Sequence, residues 1–150
     1  MQALYNFIVE PIGERYNNTK KVGDKELIVN TEVFNHYHVN RLAKVVSVPR
    51  FTDYGIKEGD TVVVHFNVFR RWHDVKGRER NSRSYYKEDR YFANYDQIFL
   101  YKRNEKWICP QGYCFVQPIK DNSKLSVDTE KPLVGIVKHT DGRAELNSLV

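Results

Sequence analysis

No run of apolar residues in this 150-residue chain approaches the roughly 20 that a membrane-spanning helix needs. Its mean hydropathy of −0.63 likewise sets it apart from membrane proteins. Sulfur is scarce, with one Met and two Cys, Cys109 and Cys114. A bridge across Pro110–Tyr113 would close only a small ring. Residues 1–11 lack the charged head and long apolar body of a secretory signal, and they read as a first strand. Two reduced thiols and a cytoplasmic location are therefore expected. Catalytic patterns are missing as well: no glycine loop to cradle phosphate, no Gly-x-Ser-x-Gly elbow, no carboxylate pair and no base beside Cys109. Asp53 and Asp60 read as turn residues. The expectation is a protein that is not an enzyme and carries no cofactor. Of five histidines, His36 and His38 would share one face of an extended segment, and Cys109 and Cys114 could join them. Their spacing matches no zinc module, so no metal site is expected. His65, inside a strand pattern, reads as a hydrogen-bonded strand residue.

What is present is a globular composition, 41% hydrophobic, 29% charged and 13% aromatic, on a chain long enough for one domain with a little over. Short β-type runs alternate with Gly, Pro and Asp: 5–12, 42–48, 61–66, 90–93, 97–101, 113–117 and 133–138. No segment sustains helical periodicity beyond a turn or two. This number and spacing of strands predicts an all-β fold, a small barrel or sandwich.

The chain also repeats itself. Leu27, Val29, Asn30, Thr31 and Glu32 recur in pattern as Leu125, Val127, Asp128, Thr129 and Glu130. Ahead of each lies a Val-x-Pro-Ile strand, Val9–Ile12 and Val116–Ile119. Behind each lies another strand, Ala43–Val48 and Leu133–Lys138. Two short matches in the same order favour duplication. On this reading the domain covers 1–105, and 106–150 is a partial second copy of its first half. That copy stops at Val150, before any counterpart of the Gly59-Asp60 turn.

A net charge of +5 and a pI near 9.1 make the chain mildly basic. The excess is local, since residues 70–90 hold eight Lys or Arg against four acids. There Arg70, Arg71, Trp72, Lys76, Arg78, Arg80, Arg83, Tyr85 and Tyr86 interleave cations with aromatics. Single-stranded nucleic acid binds to such patterns through phosphate contacts and base stacking. Interspersed acids weaken the field, and a solvated hairpin is the plainer reading, so nucleic acid stands as the alternative partner.

Residues 13–41 form a largely polar stretch that carries one short aliphatic triplet, Leu27, Ile28 and Val29. Two readings remain open at this point. The triplet is either a short edge strand folding back on its own domain or bait for an apolar groove on another protein.

Taken in order, the Pro-ended strand, the polar loop with its triplet, the strand AKVVSVP, the turn GIKEGDTVVV and the late strand DQIFLY resemble the co-chaperonin (chaperonin-10) family. The resemblance spans about residues 3–103, with a partial second pass over 113–150. It implies a small β-barrel with a mobile loop, about 13–41, that docks on a chaperonin, the large ring ATPase, through Leu27, Ile28 and Val29. Any ATP hydrolysis would be the partner's. It also implies a homo-oligomeric ring, a heptamer by the family's habit, with Tyr5–Ile12 pairing against Gln97–Tyr101 of a neighbour. The basic-aromatic segment, about 69–90, is an insertion relative to the compact family pattern. Enlarged lids of this kind resemble those encoded by bacteriophages.

Overall fold

The computed structural model describes residues 2–29, 31, 33, 35–121 and 130–150. The chain forms two compact units that divide between Phe99 and Leu100.

In the first unit, β1 (Phe7–Pro11), β4 (Leu42–Ser47), β5 (Thr61–Val64), β8 (Tyr85–Lys87) and β9 (Arg90–Ala93) make an antiparallel sheet. These strands run in the order β5-β4-β1-β9-β8, and the sheet continues beyond β5 to seven strands. Two further hairpins belong to this unit: β2 (Thr19–Val22) with β3 (Lys25–Ile28), and β6 (Arg71–His73) with β7 (Glu79–Asn81). Burial alternates along β5 and β9, as a strand with one covered face requires. Phe7, Val9, Val45, Val62, Val64, Val68, Phe69, Tyr91 and Ile98 are almost wholly buried and form the core.

The strand run predicted over 61–66 ends at Val64. His65 instead caps a 3₁₀ turn (Phe66–Val68), its Nδ1 accepting from the Asn67 N–H at 3.1 Å. The Gly59-Asp60 turn closes on β4: the Gly59 N–H donates to Val45 O at 2.8 Å, and the Val45 N–H donates to Asp60 O at 2.9 Å. Gly59 takes a left-handed φ of 87°, which suits glycine. The Asp60 carboxylate accepts from the Lys57 N–H at 2.9 Å, and Asp53 from the Gly55 N–H at 2.8 Å, so both acids act as turn residues.

β1 is flanked on both sides, by β4 over Ile8–Pro11 and by β9 over Phe7–Val9. Within Tyr5–Ile12, both edges are therefore taken at Ile8 and Val9.

β10 (Ile98–Arg103) crosses the division and pairs with β11 (Lys106–Ile108) about a tight turn. The turn residues Asn104 and Glu105 both have positive φ, as a two-residue I′ hairpin requires. The boundary expected at 105/106 lies at the tip of this hairpin. In the second unit β12 (Cys114–Lys120) pairs antiparallel with β13 (Glu130–Thr140). Both cysteines are free thiols, Cys109 buried and Cys114 exposed.

The all-β class expected from the sequence holds, and among the described residues no sheet closes on itself. The repeat residues Asn30, Glu32, Leu125, Val127, Asp128 and Thr129 lie outside the described set.

Candidate docking hairpin

Within the polar segment 13–41, residues 19–28 form a hairpin above a tied neck. Asn40, almost fully buried, ties the neck. Its Nδ2 donates to Ile12 O at 2.8 Å and to Glu14 O at 2.9 Å, while its Oδ1 accepts from the Leu42 N–H at 2.9 Å. The Asn40 N–H donates to Arg15 O at 2.9 Å, and the Asn17 N–H to His38 O at 2.7 Å. Beyond the neck, Thr19, Lys20, Lys21 and Val22 oppose Ile28, Leu27, Glu26 and Lys25. Gly23 at φ 62° opens the two-residue turn with Asp24, the glycine-first pattern of a II′ hairpin. That Gly-Asp pair between two four-residue runs is the signal that reading the segment as a loop overlooks.

Two side chains near the neck fasten it to the inserted segment. Arg15 donates to Phe69 O from Nε at 3.2 Å and Nη2 at 2.8 Å, and to Asn81 Oδ1 at 2.8 Å. Its guanidinium also lies over the Tyr91 ring at 5.1 Å. Burial lowers the Arg15 pKa and raises that of Tyr91. The Tyr16 hydroxyl accepts from the Arg71 N–H at 2.7 Å and donates to Val33 O at 3.0 Å. Sequence reasoning singled out none of Arg15, Tyr16 and Asn40, because their partners lie far along the chain.

The triplet is exposed on this hairpin, with Leu27 at 52%, Ile28 at 66% and Val29 at 59% of full accessibility. Leu27 and Ile28 belong to β3, so they point to opposite faces. Ile28, with Tyr16, Thr19, Glu26, Val33 and Arg71, lines a cleft of about 600 Å³. Leu27 shares the other face with Lys20, Val22 and Lys25. Sequence reasoning missed Val22, an exposed apolar neighbour brought alongside by the pairing.

The basic-aromatic set is split. Arg70, Trp72 and Arg83 line one cleft of about 480 Å³ with Asn67, Ser82 and Gln97, while Arg71 lines the other cleft. Arg71 pairs with Glu79 at 2.9 Å and Arg80 with Asp74 at 3.0 Å, which neutralises part of the local charge. Asp74 also accepts from the Arg78 and Lys76 N–H groups, and these bonds, with Arg80, hold its carboxyl below the usual range. Lys76 and Arg78 therefore sit at an exposed turn. Tyr85 packs edge-on against Tyr91, and Tyr86 against Phe92 beneath the Lys87 ammonium.

His36 packs against Tyr37 and Phe66, and His38 Nδ1 lies 3.3 Å from Asn17 O. Among the described residues no cluster of three or more His, Cys, Asp or Glu could hold a metal, and no helix is long and apolar enough to cross a membrane. Compared with family models, with curated proteins and with solved structures, the chain shows no significant match.

Proposed function

We propose that this protein is a co-chaperonin-like lid that caps a chaperonin through Leu27, Ile28 and Val29. The observation that carries the reading is an aliphatic triplet held out on an anchored hairpin, more than half of each side chain open to solvent. Each such side chain is worth roughly 1.5–3 kcal/mol on full burial, and about half of that is still available here. Ordering costs reduce the sum, so a single arm binds weakly and releases readily. A ring of identical arms multiplies weak contacts into firm, reversible capping. On this reading the first unit is a divergent co-chaperonin barrel of the enlarged, phage-like sort, working as a ring in the cytoplasm. It needs no cofactor and performs no catalysis, and nucleotide hydrolysis belongs to the chaperonin.

The alternation in β3 refines the reading. A groove that accepts the hairpin edge-on meets Leu27, Val29 and Val22 together, with Lys20 and Lys25 favouring acids at its rim. Replacing Leu27, Ile28 and Val29 by Ser should abolish chaperonin-assisted refolding of a denatured client while the circular dichroism stays native. Undiminished refolding by this variant would overturn the proposal. A second reading, nucleic-acid binding, has one observation in its favour, the cleft that gathers Arg70, Trp72 and Arg83. It would require retention of single-stranded oligonucleotides at physiological salt.

A further inference from the structure

The two units share one strand pairing, down to its irregularity. In the first, Ile8 faces Ser47 and Val9 faces Val45, skipping Val46; Pro11 then faces Ala43. In the second, Phe115 faces His139 and Val116 faces Val137, skipping Lys138; Pro118 then faces Gly135. The bulge falls at the same place, one step before the same Val-x-Pro sequence. The third strand follows suit. Val45 exchanges backbone bonds with Gly59 and Asp60, and Val137 exchanges them with Asn147 and Ser148. Gly59 and Asn147 both have left-handed φ, 87° and 61°. Asn147-Ser148 is thus the counterpart of the Gly59-Asp60 turn, which sequence reading held to be missing. It is hidden because Asn replaces Gly at the left-handed position and a shorter loop precedes it. By the same register Val150 matches Val62.

What differs is the covering. Val9 and Val62 are fully buried, whereas Val116 is 44% and Val150 54% exposed. Together with Pro118, Pro132, Leu133 and Val134 they line an open, mainly apolar cleft of about 610 Å³, to which Glu130 and Lys131 add one charge of each sign. Leu133 is wholly exposed and held at φ 58°, a conformation that leucine rarely takes. The strand edge differs too. Val137 turns its N–H and C=O toward Asn147 and Ser148, so the facing Val116 turns its own away from β13. The same alternation directs those of Val9 toward Tyr91 of β9. Among the described residues β12 has β13 as its only strand neighbour.

We infer that the second unit duplicates the β1–β4–β5 framework, and that the same unit of a second copy of this chain closes its open β12 edge and apolar face. A second copy fits because the edge is self-complementary. Cys114–Gln117 carries no charge, so two antiparallel β12 strands oppose no like charges, and Lys120 lies beyond the pairing. Pro118, lacking an N–H at the next outward position, ends the pairing there. A two-fold contact of this kind also sets each apolar cleft against its equal. None of this depends on the docking hairpin.

The test is solution mass by light scattering across a dilution series of the full chain. Two variants accompany it, Val116→Pro, which removes the outward donor and changes one cleft-lining side chain, and Leu133→Asp, which places a residue tolerant of left-handed φ on an exposed site. Each variant should halve the mass of the parent assembly, a pair of 17.8 kDa chains falling to one if no other contact joins them. In the parent, hydrogen exchange at the Val116 amide should be slowed at high concentration and fast on dilution. Two results overturn the inference: equal masses for the parent and Leu133→Asp at every concentration, or Val116 exchange that ignores concentration. Equal masses in a large ring would do so while leaving the lid reading intact.

Discussion

Replacing Asn40 by Ala tests whether the hairpin is held at its neck. The side chain is almost fully buried and satisfies Ile12 O, Glu14 O and the Leu42 N–H. Each bond contributes about 0.5–1.5 kcal/mol net, and a backbone group left unsatisfied costs about 1–3 kcal/mol. Local relaxation and water recover part of the loss, so the expected destabilisation is about 2–4 kcal/mol. With a urea dependence of about 1–3 kcal/mol per molar, the unfolding midpoint should fall by about 1–2 M at unchanged slope. Asn40→Asp sharpens the test. It sets a second oxygen, in place of the amide donor, against the Ile12 and Glu14 carbonyls. Desolvation there raises the carboxyl pKa in the folded state, so the folded protein binds more protons than the unfolded chain. This variant should then lose more stability than Asn40→Ala at neutral pH and regain part of it as pH falls. A midpoint for Asn40→Ala within the scatter of the parent would refute the clamp.

The thiols should react in sequence. Burial, with Cys114 and Asp141 nearby, pushes Cys109 up to about 11, so at pH 8 only about one thiol in a thousand is thiolate. Mass spectrometry after brief alkylation should find one label, on exposed Cys114, and equal labelling of both would contradict the burial of Cys109. His65 caps the 3₁₀ turn in its neutral form, and burial, then Arg41, lowers its pKa. Its contribution is complete above about pH 6.5 and fades as pH falls through the folded value. His65→Ala should therefore lower the melting temperature at pH 7.5 and narrow its gap to the parent in acid; a gap that widens in acid would contradict the cap.

Much of the fold is legible in alternation and punctuation. Pro11 closes β1, the Gly59-Asp60 turn precedes β5, and Arg90–Ala93 is found where it is read. Asn40 is not legible, because what matters is a buried amide between carbonyls that only the fold brings near. The hairpin in 13–41 was hidden for another reason: its strands are exposed on both faces, so they carry no apolar alternation, and only Gly23-Asp24 marks them. The basic-aromatic set looks continuous in sequence, yet strand alternation sends Arg71 and Trp72 to opposite sides. In the second unit the Val-x-Pro-Ile match was readable, but the turn at Asn147 shares no residue with its counterpart.

Sedimentation velocity of the full chain with a chaperonin bears most directly on the lid reading. With nucleotide present the chain should travel with the large ring, and substituting Leu27, Ile28 and Val29 should return it to its free boundary. Cosedimentation that persists in the substituted chain, or none by the parent in any nucleotide state, would contradict the account.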